Sequence, residues 1–231
     1  MTQKRSKIWI RAAILLFSLV VSWWLSEAPS FHKLELASLD MRFRLRGERP
    51  PVDSPIVILA IDDQSDASTP HRWPWPRSYF AHVIENLNEA GVRVIGVDVL
   101  FDQLDYSDMA SDSALASVLG AFDNVVLAGK IESASGRYQR LTLKPPAPPF
   151  LNAGSAWGLV STEVDNDGIT RRCLLSQTHQ DSVYPSFVME IYRKYAGLDA
   201  GTRLEDFGRY YRLGEKIIPK YDRYAMLINY A

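Results

Sequence analysis

Two groups of acidic residues stand where strands would end. Asp62 and Asp63 follow the apolar run Ile56-Val57-Ile58-Leu59-Ala60-Ile61, and Asp98 and Asp102 close a second run that begins at Val92. If both runs are parallel strands, the acids share the carboxyl rim where open α/β sheets bind ligands. Carboxylates gathered there repel, by about 4 kcal/mol for a pair roughly 4 Å apart at an effective dielectric of about 20. A hard divalent cation, an arginine, a raised pKa or simple separation must offset this. Arg72 and Arg77 are the arginine candidates, and Trp73-Pro74-Trp75-Pro76 between them makes a stiff aromatic loop. Its rings can stack on a ligand or wedge the loop against the sheet. The expected ligand-binding set is Asp62, Asp63, Trp73, Trp75, Arg77, Asp98 and Asp102. The plain alternative for the acids is helix capping and bonding of loop amides.

Catalysis fits these residues poorly. Asp62 and Asp63 are adjacent, so an extended backbone points them to opposite faces. There is no Gly-rich phosphate loop, no dinucleotide fingerprint, and no nucleophile elbow in Gly154-Ser155-Ala156-Trp157-Gly158. The histidines (His32, His71, His82, His179) lack the spacing and cysteine companions of a zinc site. Asp165-Asn166-Asp167-Gly168 resembles part of a calcium loop, but the position of the bidentate acid falls on Leu174, so the segment reads as a tight turn. No enzyme activity and no cofactor is expected, a divalent cation at the rim being the one candidate. A metal-dependent hydrolase using the strand-end acids is the alternative, and a dimerisation or docking module is a third reading.

Composition narrows the partners. With 26 basic and 27 acidic residues the formal net charge is −1, which leaves no basic excess for binding along a phosphate backbone. Nucleic acid is therefore not an expected partner; a small-molecule or ionic stimulus, a second copy or a partner receptor is. Cys173 is the single cysteine, which rules out an intrachain disulfide and reads as a structural thiol.

The elements that position these residues follow from periodicity. Phe31 to Arg46 predicts a helix, with Asp40 and Arg44 spaced i, i+4 and Gly47 ending it. Ile56 to Ile61 predicts a strand covered on both faces. A helix opened by Arg77 or Ser78 carries the stripe Phe80, Val83, Ile84, Leu87 and leaves at Gly91. Val92 to Asp98 is the next strand, Asp112 or Ser113 caps a helix bearing Leu115, Val118 and Leu119, and Asn124 to Ala128 is a third strand. Lys144 to Phe150 is a proline-rich connector that excludes helix. Gly158 to Val160 and Thr170 to Leu175 are the expected strands on either side of the 165–168 turn. Pro185 to Tyr195 is a helix with Phe187, Val188, Ile191 and Tyr195 inward, and Tyr224 to Tyr230 is a strand. The fold class is thus α/β, a mainly parallel sheet with helices on its faces and an irregular second half containing a β-hairpin.

The N-terminus adds a membrane expectation. Lys4, Arg5, Lys7 and Arg11 precede the uncharged run Ala12 to Leu25, which ends in Trp23 and Trp24. This predicts an N-terminal transmembrane helix over residues 8–25, N-terminus inside, in the inner membrane, with cleavage as a signal peptide and secretion as the alternative. The expected domains are 1–28, cytoplasmic tip and anchor; 29–49, membrane-proximal helix; and 50–231, extracytoplasmic sensory domain.

Several segments, in this order, resemble the type-two CHASE family of bacterial extracytoplasmic sensory domains. They are Leu39-Asp40-Met41-Arg42-Phe43 with Arg46-Gly47, then Ile61-Asp62-Asp63 with Trp73-Pro74-Trp75-Pro76-Arg77, then Ala90-Gly91 with Val94 to Phe101. Asp165-Asn166-Asp167-Gly168 with Arg171-Arg172, Tyr184-Pro185-Ser186, and Leu227-Ile228-Asn229-Tyr230 complete the set. The resemblance implies a signal-input domain, without carrying over any ligand residues. It also implies that the sensory domain continues beyond Ala231, so the chain is expected to be incomplete at its C-terminus.

Overall fold

The computed structural model describes residues 2–26, 29–47, 55–133, 141–222 and 224–230. Two compact units emerge, one from residues 1–58 with 229–231 and one from residues 59–228. The first contains helices α1 (Thr2–Ser26) and α2 (Pro29–Arg46). Gly47, at φ 73°, donates its amide to Phe43 and Arg44 carbonyls at 3.2 Å, the left-handed C-terminal stop that its sequence position foretells. Leu36 and Leu39 are buried, and Arg46 lies over the Phe43 ring while donating to Asn229 and the Tyr230 carbonyl.

The expected N-terminal transmembrane helix is corrected: among the described residues, no helix is long and apolar enough to cross a membrane. The uncharged run from Ala12 to Leu25 spans roughly 21 Å at ~1.5 Å per residue, against a hydrocarbon core of about 30 Å. Arg11 interrupts any extension toward the N-terminus, and Ser18 and Ser22 dilute the run.

In the second unit, α3 (Asp63–Ser68), α4 (Arg77–Glu89), β1 (Ile95–Leu100), α5 (Met109–Ala121), β2 (Val125–Ser133), β3 (Leu141–Lys144), α6 (Pro148–Asn152) and β4 (Ala156–Leu159) come first. There follow β5 (Thr162–Glu163), β6 (Arg172–Leu174), β7 (Ser176–His179), β8 (Ser182–Pro185), α7 (Phe187–Tyr195), β9 (Leu204–Asp206), β10 (Tyr210–Leu213), β11 (Lys216–Pro219) and β12 (Ala225–Leu227). β2 is the central strand of the main sheet, parallel to β1 and β4 and antiparallel to β3. The remaining strands form three small antiparallel sheets: β5, β6 and β12; β7 and β8; and β9, β10 and β11. The fold is therefore mixed α/β with several antiparallel sheets, not a mainly parallel sheet. Two- to four-residue strands carry too little periodicity to reveal their pairing from sequence.

The strand expected over Ile56 to Ile61 is also corrected. These residues are irregular and exposed. An apolar run becomes a strand only by pairing with a distant partner, and local sequence does not contain that partner. Lys144 to Phe150 does include a helix: Pro148 and Pro149 take the first positions of α6, where a missing amide hydrogen costs nothing. The α5 cap lies earlier than Asp112, at Asp108, whose carboxylate accepts from the Ser111 amide at 3.1 Å. On α7, Val188 and Tyr195 are exposed, and Met189 and Glu190 are the buried residues.

The main core lies where α4 and α5 meet the sheet. Phe80, Ile84, Leu115, Leu119, Val125 and Leu127 form it, with Phe101 and Phe150 at one end. α7 crosses the opposite face so closely that a Cβ at Gly96 would stand 2.6 Å from Ile191. Ser186 joins three elements there: it bridges Leu159 of β4, donates its amide to the Leu175 carbonyl at 2.9 Å, and caps α7 through the Met189 amide. A Cβ at Gly158 would meet the Ser186 carbonyl and the Phe187 amide nitrogen at 2.6 Å, backbone that cannot step aside. Gly158→Ala is accordingly expected to cost about 1–3 kcal/mol by overpacking, read as a lower urea midpoint with an unchanged slope.

Candidate functional site

The Trp-Pro-Trp-Pro loop is held from both ends. Asp62 caps α3, its carboxylate accepting from the Ser65 amide at 2.8 Å and the Ser65 hydroxyl at 2.7 Å. The hydroxyl bond, then the amide, keeps Asp62 below the usual carboxylate pKa. Asp66, one turn on, accepts from the Trp75 indole at 3.1 Å. Edge-to-face rings link the loop to the core: Trp75 to Trp73 at 6.0 Å, Trp73 to Phe80 at 6.4 Å, Phe80 to Phe101 at 5.1 Å, and Phe101 to Phe150 at 5.9 Å. The outer ring, Trp73, is 51% exposed, whereas Phe101 and Phe150 are buried. The loop is a wedge with one face left open, so packing and stacking are combined in the same rings.

Arg77, the first residue of α4, turns toward the β1–α5 loop. Its guanidinium lies 5.7 Å from the Phe101 ring centroid, donates to the Gln103 carbonyl at 3.4 Å and stands 3.5 Å from Asp112. Asp112 is itself buried and accepts from the Asp105 amide at 2.6 Å, while Ser111 accepts from the Ser78 amide at 2.7 Å. The Ser107 hydroxyl, then its amide, lowers the Asp105 pKa, with Arg77 adding to the effect. Residues 101–108 are thereby fastened to the starts of α4 and α5.

The other expected site residues are placed separately. Asp102 pairs with Lys144 at 3.3 Å, and Lys144 also pairs with Glu132 at 2.9 Å. These acids raise the Lys144 pKa, Glu132 more than Asp102. The offset for Asp102 is thus a lysine from β3, a partner that no motif around Arg72 and Arg77 contains. Asp63 and Asp98 are exposed. Among the described residues, no group of three or more His, Cys, Asp or Glu side chains could hold a metal ion.

A second charged centre was not anticipated as such. The 165–168 turn is built around Arg171, whose side chain is 2% exposed. Arg171 pairs with Asp165 at 2.9 Å and with Asp167 at 2.7 Å. Arg172 pairs with Asp165 at 2.7 Å, Glu163 at 3.2 Å and Asp222 at 3.3 Å. The signal was the adjacent arginine pair itself. Two cations a few residues past an acidic turn are natural partners for those carboxylates, and they occupy oxygens that a calcium ion would need.

The family model of the CHASE2 domain matches residues 13–231. The chain belongs to the CHASE2 family. CHASE2 domains are sensory and extracellular, so the protein is a sensor domain of extracytoplasmic type. No curated protein and no solved structure matches it significantly. In this CHASE2 domain the Trp-Pro-Trp-Pro loop is held mainly by ring contacts and the Asp-Asn-Asp-Gly turn by ion pairs with its arginines.

The two Arg171 partners differ in exposure, and acid should reach them differently. Asp167 has its pKa lowered to about 2, chiefly by the Arg171 hydrogen bonds. A carboxylate whose folded pKa is depressed stabilises fully above its unfolded value of 3.8, and that stability is lost as pH falls toward about 2. Asp167→Asn should therefore remove stability at pH 5–7 and make little difference near pH 2, as thermal melts across pH would show. Arg171→Met leaves Asp165 buried with half its partners and should cost about 3–5 kcal/mol at pH 7 by urea denaturation.

Proposed function

We propose that this CHASE2 domain is the signal-input domain of a bacterial receptor, without catalysis of its own, and that it reads a small-molecule or ionic stimulus at the Trp-Pro-Trp-Pro loop. Trp73 carries the reading. It is a large ring open on one side and joined on the other, ring by ring, to the buried core, so a ligand stacked on it presses on packed side chains. Asp62 and Asp63 open α3, whose Asp66 accepts from the Trp75 indole, and Arg77 anchors the loop's far end to the loop that carries Asp102. Asp98 lies exposed on β1. An aromatic platform bordered by both signs of charge suits a compact polar or zwitterionic ligand with a planar or apolar portion.

The hydrolase alternative finds no support in the acids as placed, since Asp102 is paired with Lys144 and Asp62 is committed to a helix cap. The sensor reading is tested by thermal-shift screening of the chain against divalent cations and small metabolites. A stabilising compound should lose at least tenfold in affinity on Trp73→Ala or Arg77→Gln, while Lys220→Gln leaves it unchanged. Equal stabilisation of all three variants would exclude this loop as the binding site.

A further inference from the structure

The rings around the Trp-Pro-Trp-Pro loop form a wider cluster than the path into the core. Tyr79, in the first turn of α4, sets its ring 6.2 Å from that of Trp75, and His71 meets Tyr79 edge to face at 5.7 Å. With Trp73 6.0 Å from Trp75, three electron-rich rings are contiguous, and Trp73 is 51% exposed. The cation–π contacts of this unit lie elsewhere: Arg77 stands over Phe101, Arg93 over Tyr195, Arg212 over Phe207 and Lys220 over Tyr211. Among the described residues no cation, Arg72 included, covers Trp73, Trp75 or Tyr79, although an indole is the ring that attracts cations most strongly.

The exposed charge bonded to these rings is acidic. Asp66 accepts from the Trp75 indole at 3.1 Å, and Asp62 and Asp63 open the same short helix. All three are exposed, and among the described residues no lysine or arginine pairs with any of them. The side chain of Arg77 is only 14% exposed and is turned inward, to Phe101, Gln103 and Asp112. Aromatic faces and negative charge thus stand together, the complement of an organic cation.

Hydrogen bonding decides which cation. Aromatic faces are poor acceptors, and the nearby carboxylates are already engaged, Asp62 by Ser65 and Asp66 by Trp75. A primary ammonium would give up water at three N–H donors without recovering it. A metal ion would need converging oxygen ligands, and no group of three or more His, Cys, Asp or Glu side chains among the described residues could hold one. A quaternary ammonium has no N–H to satisfy and lays its methyl groups on the rings. Taking the tryptophan loop as the binding site proposed above, we infer that it selects a quaternary ammonium group, seated on Trp73 and Trp75 with Asp66 as its counter-charge.

Calorimetric titration of the full chain with tetramethylammonium and with choline, at low ionic strength, tests this selection. The neutral control is the carbon isostere of choline, in which a tert-butyl group replaces trimethylammonium. Both cations should saturate the protein with a Kd at or below about 1 mM, and the isostere should bind about tenfold more weakly. Trp73→Leu keeps apolar bulk without a π face and should weaken choline about tenfold. Asp66→Asn can still accept from the indole and should weaken it about threefold, an effect that added salt reduces. Glu215→Gln makes the same change in net charge on the turn between β10 and β11 and should leave binding as it is. No saturation by either cation overturns the inference, as does equal binding of the isostere; both are read on the wild type, where no variant's folding enters. Undiminished choline binding by Trp73→Leu overturns it together with the loop as binding site. A neutral or anionic compound that needs Trp73 in the thermal-shift screen, with no choline binding, refutes the cation alone and leaves the loop standing.

Discussion

The second unit is organised by one constraint: β2 is hydrogen-bonded on both edges and covered on both faces. Val125, Val126, Leu127 and Ala128 are all at most 1% exposed. No polar side chain can occupy such a strand without a buried partner, and none does over these four positions. Its outer half obeys a different rule. Lys130 and Glu132 leave the core, pair with each other at 2.9 Å and meet Lys144 on the antiparallel strand β3. One strand thus sets where the core ends and where the charged edge begins, and Asp102 is drawn into that edge by Lys144.

From this centre the two distinctive loops are held by opposite means. The Trp-Pro-Trp-Pro segment is fixed by ring contacts, each worth about 0.5–1.5 kcal/mol beyond its buried area, and its polar bonds are confined to the periphery. The 165–168 turn is fixed by ion pairs that have almost no contact with water at Asp165 and Arg171. Ring contacts tolerate sliding, whereas paired buried charges do not, because separating them exposes each to a costly desolvation. In a sensory domain the first kind of loop is suited to moving and the second to staying put.

Much of this was legible in the residues. The α4 stripe through Phe80 and Ile84, its exit at Gly91 with φ 79°, and the successive strands β1 and β2 follow from helical period, glycine chemistry and apolar runs. The family was legible too, from the Trp-Pro-Trp-Pro-Arg and Gly-x-Asp-x-x-Phe segments. What could not be read was pairing at a distance. Nothing local says that Ile56 to Ile61 belongs to no strand, that Thr162 and Ala225 flank the same three-residue strand, or that Lys144 answers Asp102. The site shares this limit. The sequence places Trp73, Trp75 and Arg77 in one loop, but their relation to Phe101 and Phe150 arises from a core assembled out of four separate segments.

Ser186 has a mechanical consequence. The β7–β8 hairpin ends at Pro185, and the next residue is bonded at once to β4, to Leu175 and to the first turn of α7. With the Tyr184 ring also set 5.7 Å from that of Trp157 on β4, the base of the hairpin is clamped and only its far end is left to swing. Any torque on its exposed tip around Gln180 is delivered to α7, whose Phe187 and Ile191 bear directly on the backbone of β1 at Gly96. The hairpin is a crank arm with its bearing at a serine.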